Sequence, residues 1–572
     1  VEMMKLIKEL GGLKSKDHLK RLLSIDYPSL ATLFPYAYFD QKTALFINEN
    51  SLGCGWEISV LAGADEKVVN AFADLLRHKL PDDYDIQFIF WGHSQIGHLI
   101  DAAFSAQRQK GGMYQKLAET SVNYYKKAAR QGWKNKRNLP LMLRDYRCFC
   151  FIAKHTSYHQ KAESEILNVK TDIEADFTTS NIVYHAIQIH DFLSLLRSWV
   201  NPNAASLYPA TDQHQPQELL NEQLFDKTSE LFVQANHLDI VFESYPSQDL
   251  THDQLTEGEA HLTRLVNLSL RNLPDEFSLW MMPDNFANII RATKALRCPF
   301  LMTISGRLIP ADVAKNLARK KYFDLEKKAK TVYAKYITGT TDAANEWKKL
   351  RDDLDSEEIR LLKTFFNVIL FTHEANYKVD ENAAIDCFRY NGIELFNTKY
   401  MQLQSYLASM PFMMSEGMYD DLNRMMRLRK LTSWNMANLL PIVADYKIGH
   451  QGMILPSFRG QIAFYDLFHT AGVDNFNIAV AATSGAGKSF LIQALILNVL
   501  SKNGRVWVID IGESYKKFCK TIQGTYLDAR HLHLNPFSHI HNIDESVEKI
   551  RDLLAVMASP SDSLDDVQKE YL

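Results

Sequence analysis

A chain of 572 residues with 46% hydrophobic and 23% charged side chains has the make-up of a globular protein with several domains, which excludes a disordered or fibrous one. Its formal net charge of −4 excludes a dedicated nucleic-acid coat and leaves only local basic patches for anionic partners. No uncharged run of about 18 apolar residues occurs, so no membrane-spanning helix is expected, and the opening Val1, Glu2, Met3, Met4, Lys5 lacks the apolar run of a signal peptide.

In chain order, a short helical lead covers about the first 30 residues. A strand, a turn at Asn48 to Ser51 and a second strand follow over 43–60. Asp65 opens a helix with Val68, Val69, Phe72, Leu75 and Leu76 on one face. Strands are expected at 84–91 and 146–153, and helices at 114–130 and 182–200. This alternation defines an α+β module over residues 1–200. A Pro-rich polar connector spans 201–218. A second α+β module over 219–440 holds strands near 229–243, 262–271, 300–307 and 365–372. Its long helix, about 311–336, carries an apolar seam at Ala318, Tyr322, Leu325, Ala329, Val332 and Tyr336. Two helices to about Met410 and a connector at Pro411 to Gly417 lead through the basic run Arg424 to Lys430 to a final domain over 441–572.

That domain carries the strongest chemical signal. Apolar Ile478, Ala479 and Val480 read as a buried strand that runs into Ala482, Thr483, Ser484, Gly485, Ala486, Gly487, Lys488, Ser489 and Phe490. The pattern is a phosphate-binding loop in which Ala482 replaces the first glycine. Backbone N–H groups from Ser484 to Ser489 can cradle the phosphates of a nucleoside triphosphate. Lys488 reaches the β- and γ-phosphates, Ser489 meets Mg2+, and the following helix aims its positive end at the anion. ATP and Mg2+ are therefore the expected cofactors, with Lys488 the catalytic residue. A Gly-rich turn without a ligand is the plain alternative, and the narrow Gly-Lys-Ser match argues against it. An apolar strand at 506–510 ends in Asp510. Two roles stay open for it: the carboxylate that organises Mg2+, or a supporting residue at the mouth of the site with Glu513, Ser514 and Tyr515.

Other patterns have plainer readings. Six cysteines (Cys54, Cys148, Cys150, Cys298, Cys387, Cys519) form no Cys-x-x-Cys cluster, so reduced, partly buried thiols are expected, with Cys148 and Cys150 on one face of a strand. The lysines and arginines at 315–335, and those at 126–137 beside Trp133, read as solvated faces rather than lipid or nucleic-acid contacts. The pairs His531/His533 and His539/His541 lack a metal-ligand pattern. Gly92, His93, Ser94, Gln95, Ile96 misses the second glycine of a nucleophile elbow, which removes an esterase reading. The acid pairs Asp352/Asp353 and Asp420/Asp421 read as helix surface.

An ordered set of segments resembles the TraC-type ATPases of F-like conjugative type IV secretion systems. The carriers are Phe34-Pro35-Tyr36, the run from Asn138 to Arg147, Ser206 to Pro209, Tyr322 to Lys330, the loop Ala482 to Ser489, Asp510 to Tyr515, Leu534 to Phe537 and Met557 to Pro560. The resemblance implies an α+β N-terminal region that docks to the secretion machine, followed by an α/β RecA-like P-loop NTPase domain. It implies a cytoplasmic ATPase at the bacterial inner membrane that powers pilus assembly and DNA or protein transfer. The implied partners are other secretion subunits, further copies of itself in a hexamer, and a transient contact with DNA or protein substrate. It also implies that the strand carrying the Mg2+-organising acid falls past residue 572, so that the covered domain is incomplete and Asp510 is a neighbour of the site. Two rivals remain: a DNA translocase or helicase-type P-loop motor, and a nucleotide-binding docking scaffold without turnover.

Overall fold

The computed structural model describes residues 30–572 except 135–139, 212–213, 227, 244–259, 289–294, 331–339, 448, 450–451, 470–474, 533–534, 536, 539, 541–545, 562–563 and 572. The expected N-terminal lead, Lys136, Arg137, Val332, Lys335, Tyr336, His533, His539 and His541 lie outside the described residues. Those that are described fall into two compact units, one of residues up to 110 and 115–478, the other of 111–114 and 479–572.

The first unit is organised by one antiparallel sheet of 13 strands. They are β1 (Tyr36–Asp40), β2 (Leu45–Asn48), β3 (Ser51–Ile58), β4 (Tyr84–His93), β5 (Asp145–His155), β6 (Tyr184–Ala186), β7 (Glu230–Val233), β8 (Leu238–Glu243), β9 (Ala260–Asn272), β10 (Phe300–Leu308), β11 (Leu361–Thr372), β12 (Glu394–Asn397) and β13 (Arg429–Thr432). The order across the sheet is β1-β2-β3-β5-β4-β10-β11-β9-β8-β7, with β6 on β3, β12 on β9 and β13 on β11. The strands of the two expected modules thus meet side by side, Phe300 opposite Gly92 through Arg307 opposite Asp85.

Apolar side chains alternate to both faces of the central strands, and all ten residues of β4 are buried. An antiparallel sheet often leaves one face to water; here both faces are covered. On one face Trp56, Ile86, Phe88, Cys148, Cys150, Met302 and Val368 pack under helices α1 (Glu66–Asp74), α3 (Gln160–Thr179) and α7 (Tyr377–Tyr390). On the other, Ile89, Trp91, Phe149, Phe151, Leu301 and Ile369 meet helix α4 (Ile189–Val200) and the run Leu403 to Leu422. Asp65 caps α1 by accepting from the Val68 N–H at 3.0 Å. Gly55 lies beneath the Phe151 ring, which a Cβ there would approach to 2.4 Å. All six cysteines are free, and Cys148 and Cys150 share a face, as expected.

Helix α5 (Ala311–Ala329) packs against α6 (Thr340–Asp355), which the sequence pattern did not reveal, around Ala314, Ala318 and Leu354. The basic face of α5 is partly neutralised: Lys315 meets Glu357 at 3.2 Å and Arg319 meets Asp355 at 2.9 Å. Lys126, on α2 (Gly112–Gln131), pairs with Asp101 at 3.1 Å. Asp421, expected on a helix surface, is buried instead, because its helix Tyr419–Arg424 packs Leu422 into the core.

Residues 441–478, expected to open the last domain, belong with the first compact unit, and the second compact unit resumes at 479. The cause is packing: Ile454, Ile462 and Phe464 are buried with Ile96, Ile100, Val122 and Leu143. The Gln461 amide also accepts from the Tyr146 N–H at 2.8 Å and donates to Asp145 at 2.9 Å.

A buried polar seam completes the sheet where β9 changes partner from β8, which pairs as far as Leu265, to β12, which pairs from Leu268. The side chain of Gln402 fills that fork. Its Oε1 accepts from the Asn267 backbone N–H at 2.9 Å, and its Nε2 donates to the Asn267 carbonyl at 3.2 Å. Gln402→Ala leaves a buried backbone donor unmet and should lower the unfolding free energy of this unit by about 2 kcal/mol, read as a lower urea midpoint.

At the end of β4, His93 stacks on Trp91 and its Nε2 lies 3.9 Å from Asp145. Burial pushes the imidazole pKa down to about 3. The unfolded imidazole titrates near 6.5, so below that pH the unfolded chain binds the extra proton. Stability from the neutral ring is complete above pH 6.5 and is lost as pH falls toward 3. His93→Gln should flatten the loss of stability across that window in urea titrations at stepped pH.

Candidate functional site

The phosphate-loop segment lies in the second unit, where the described residues hold helices and turns. Gly485 has φ +78° and Gly487 φ +96°, both left-handed. A Cβ at either would meet open space, so glycine is required by backbone conformation rather than by room. Ala482 is not among the residues with left-handed φ, so its methyl costs nothing there and the missing first glycine is tolerated. The Ala486 N–H donates to the Thr483 carbonyl at 3.2 Å and closes the turn.

Gly487 caps helix α8 (Lys488–Ser501), and the Leu491 N–H donates back to its carbonyl at 3.0 Å. Lys488 and Ser489 thus stand in the first turn, where N–H groups have no partner within the helix and the dipole is positive. Residues 482–488 are exposed, Ser489 is half-buried and Phe490 is exposed. An anion has free access to this end. Leu495 and Ile496, two turns further on, are buried and anchor the helix.

The expected strands at 478–480 and 506–510 do not form; residues 479–572 contain no strand among those described. Trp507 is 83% and Ile509 99% exposed. A parallel strand needs neighbours to take up its backbone groups and cover on both faces, and neither is present among the described residues of this unit.

Asp510 sits in a turn instead. Its Oδ1 accepts from the Gly512 N–H at 3.1 Å and its Oδ2 from the Tyr515 N–H at 2.9 Å. Tyr515 then caps helix α9 (Lys516–Thr521). Gln493, on α8, donates to the Ser514 carbonyl at 3.4 Å, which ties this turn to the helix that begins at the loop. Glu513 is occupied by Lys516 at 3.3 Å and Arg530 at 3.1 Å. Sequence reasoning missed the Gln493 link; a polar residue within a mainly apolar helix was its signal.

The esterase-like segment stays inert in geometry: the Ser94 hydroxyl faces the Ser206 carbonyl at 3.4 Å, and His93 Nδ1 accepts from the Gln95 N–H at 3.2 Å. Among the described residues no group of three His, Cys, Asp or Glu side chains could hold a metal. No helix among them is long and apolar enough to cross a membrane.

Two left-handed glycines set directly before a helix whose first residues are Lys and Ser define a P-loop protein. In agreement, residues 461–568 match the family described as TraG P-loop domain. Residues 30–414 match the family described as TraC protein, and the chain belongs to that family. It is 32% identical over 556 residues to Protein TraC of Escherichia coli (strain K12), an alignment covering 96% of this chain and 62% of that relative. The chain therefore spans less than two thirds of that relative's length.

Gly487→Ala forces a side chain into the left-handed region and should cost about 1–2 kcal/mol locally. The expected outcome is roughly tenfold weaker binding of a fluorescent ATP analogue, with the melting of the large unit unchanged by circular dichroism.

Proposed function

We propose that residues 482–490 hold the triphosphate of ATP with Mg2+ and that the second unit works as a RecA-like ATPase domain driving conjugative type IV secretion. The observation that supports this most directly is the pair of left-handed glycines presenting an open helix N-terminus with Lys488 and Ser489 in its first turn. These residues fit the group. The first N–H groups of the helix that opens at Lys488 have no partner within the helix and could meet the phosphates, the Lys488 ammonium would draw the β- and γ-phosphates, and the Ser489 hydroxyl would take a place on Mg2+. Bound ATP supplies a transferable γ-phosphoryl group whose loss to water releases the driving energy.

In this reading Asp510 shapes and holds the turn at the mouth of the site, since both of its oxygens already accept backbone N–H groups. The broad sheet unit docks to other transfer components at the inner membrane, and copies of the protein assemble as a hexamer. The family membership supports the setting, conjugation, and the loop supports the energy source.

In the full-length protein, Lys488→Ala should reduce ATP hydrolysis by about 100-fold or more, the scale of losing one charged donor at a phosphoryl-transfer site. DNA transfer in a mating assay should fall with it. Normal transfer by that variant would overturn the reading, and tight ATP binding without turnover by the unaltered protein would leave a docking scaffold in its place.

A further inference from the structure

Strand β11 also changes partner in mid-course. Leu361 to Thr364 pair with β13, and Asn367 to Thr372 pair with β9. Between these ladders the end of β9 and the start of β13 diverge and leave a cavity of about 280 Å3. Arg271, Arg427 and Arg429 line it, with Phe366 and Phe396 as apolar wall and Met426 at the rim. The fork at Asn267 is filled by Gln402 of this same chain; this second fork is crossed by a bond from Arg429 Nη2 to the Arg271 carbonyl at 2.5 Å and holds a cavity instead of a side-chain plug.

Three features point to an outside ligand. Among the described residues, none of the three guanidiniums meets a carboxylate: Arg429 donates to a carbonyl, and Arg427 lies over the Phe396 ring at 5.2 Å. Uncompensated guanidiniums around one hollow suit an oxyanion, which each can grip with two parallel N–H bonds. Next, Met426 has φ +53° and occupies the left-handed position that closes helix Tyr419–Arg424, with the Arg427 N–H donating to the Leu422 carbonyl at 2.8 Å. Glycine is the ordinary occupant of such a position. Here a strained methionine is held 87% exposed beside the cavity, and strain of this kind is a pointer to function. Finally, the pairing of β9 with β11 ends at Ser269, so among the described residues no strand lies beside that edge of β9 at Arg271, whose carbonyl is met by a side chain instead.

We propose that this fork is a docking site for an acidic peptide segment of a partner protein. An Asp or Glu carboxylate sits among Arg271, Arg427 and Arg429, and an adjoining apolar side chain lies against Phe366 and Phe396 under Met426. A peptide fits better than a nucleic acid, because a strand edge matches another main chain. The basic groups also surround one hollow rather than forming a track along which a phosphate backbone could run, and the whole chain carries a net charge of −4.

The test is fluorescence anisotropy on the 572-residue chain with a fluorescein-labelled decapeptide alternating Asp and Glu with Phe and Leu. Its Asn/Gln isostere and a ten-nucleotide oligothymidylate serve as rival probes. The acidic peptide should bind about tenfold or more tightly than its isostere, as expected for a lost charge-assisted pair. Arg427→Gln and Met426→Gly should each weaken that binding about fivefold. Met426→Gly relieves the backbone, so its melting temperature should hold or rise while its affinity falls, a combination that a purely structural role does not produce. Equal binding of peptide and isostere, no binding, unchanged affinity in both variants, or tighter binding of oligothymidylate that depends on Arg427 would each overturn the proposal. The isostere comparison needs only the unaltered chain and stands if a variant fails to fold.

Discussion

The pairing of β4 with β10 is the constraint on which the large unit rests. Eight residue pairs run from Gly92–Phe300 to Asp85–Arg307, and the strand pair lies inside the sheet with apolar layers on both faces. At its end Arg307 grips the Asp85 carboxylate with Nε at 2.8 Å and with Nη2, and the Ser415 hydroxyl donates to the same carboxylate at 2.6 Å. A carboxylate buried this deeply is tolerable only when charge and hydrogen bonds meet it together. One small network therefore joins β4, β10 and the segment after Met413, which come from three distant parts of the sequence. Loss of Arg307 alone would leave the Asp85 charge stranded under the sheet.

Much of this fold is legible in the chain. Period-two apolar patterns place the central strands within a few residues: 84–91 against Tyr84–His93, and 300–307 against Phe300–Leu308. The start of α1 is legible because Asp65 is a capping residue set before an apolar face. Helix α3 escapes a sequence reading although Ala162, Ile166, Ile173 and Phe177 are spaced for one face, because polar residues between them dilute the signal. What local pattern does not contain is which strand lies beside which. The connector at 201–218 suggests separate modules, yet β4 and β10, on either side of it, are immediate neighbours. Long-range pairing is decided by complementary faces and by buried groups such as Asp85, and neither leaves a local signature.

The candidate site divides in the same way. Glycine at 485 and 487 and the helix that starts at Lys488 follow from local dihedral preference, so the motif alone is enough to specify them. The flanking apolar runs promise strands, but a strand is a relation between segments. Within the described second unit the run at 506–510 finds no neighbouring strand, and Trp507, Val508 and Ile509 stay in water. Asp510 shows the same dependence: its place in sequence allows a metal ligand, while its hydrogen bonds make it the keystone of a turn.

The distance along the chain between Asp85 and Arg307, 222 residues, also sets an order of events during synthesis. At about 5–20 residues per second, roughly 10–45 s pass on the ribosome between the emergence of the two. For that interval β4 and β5 can pair, but the side of β4 that later meets β10 is bare, a row of unmet N–H and C=O groups flanked by Ile86, Phe88 and Ile89. Such an edge is a template for misassembly with another nascent chain. The architecture that makes the finished sheet secure on both faces thus gives the protein a slow, non-local closing step and a need for shielding before that step is complete.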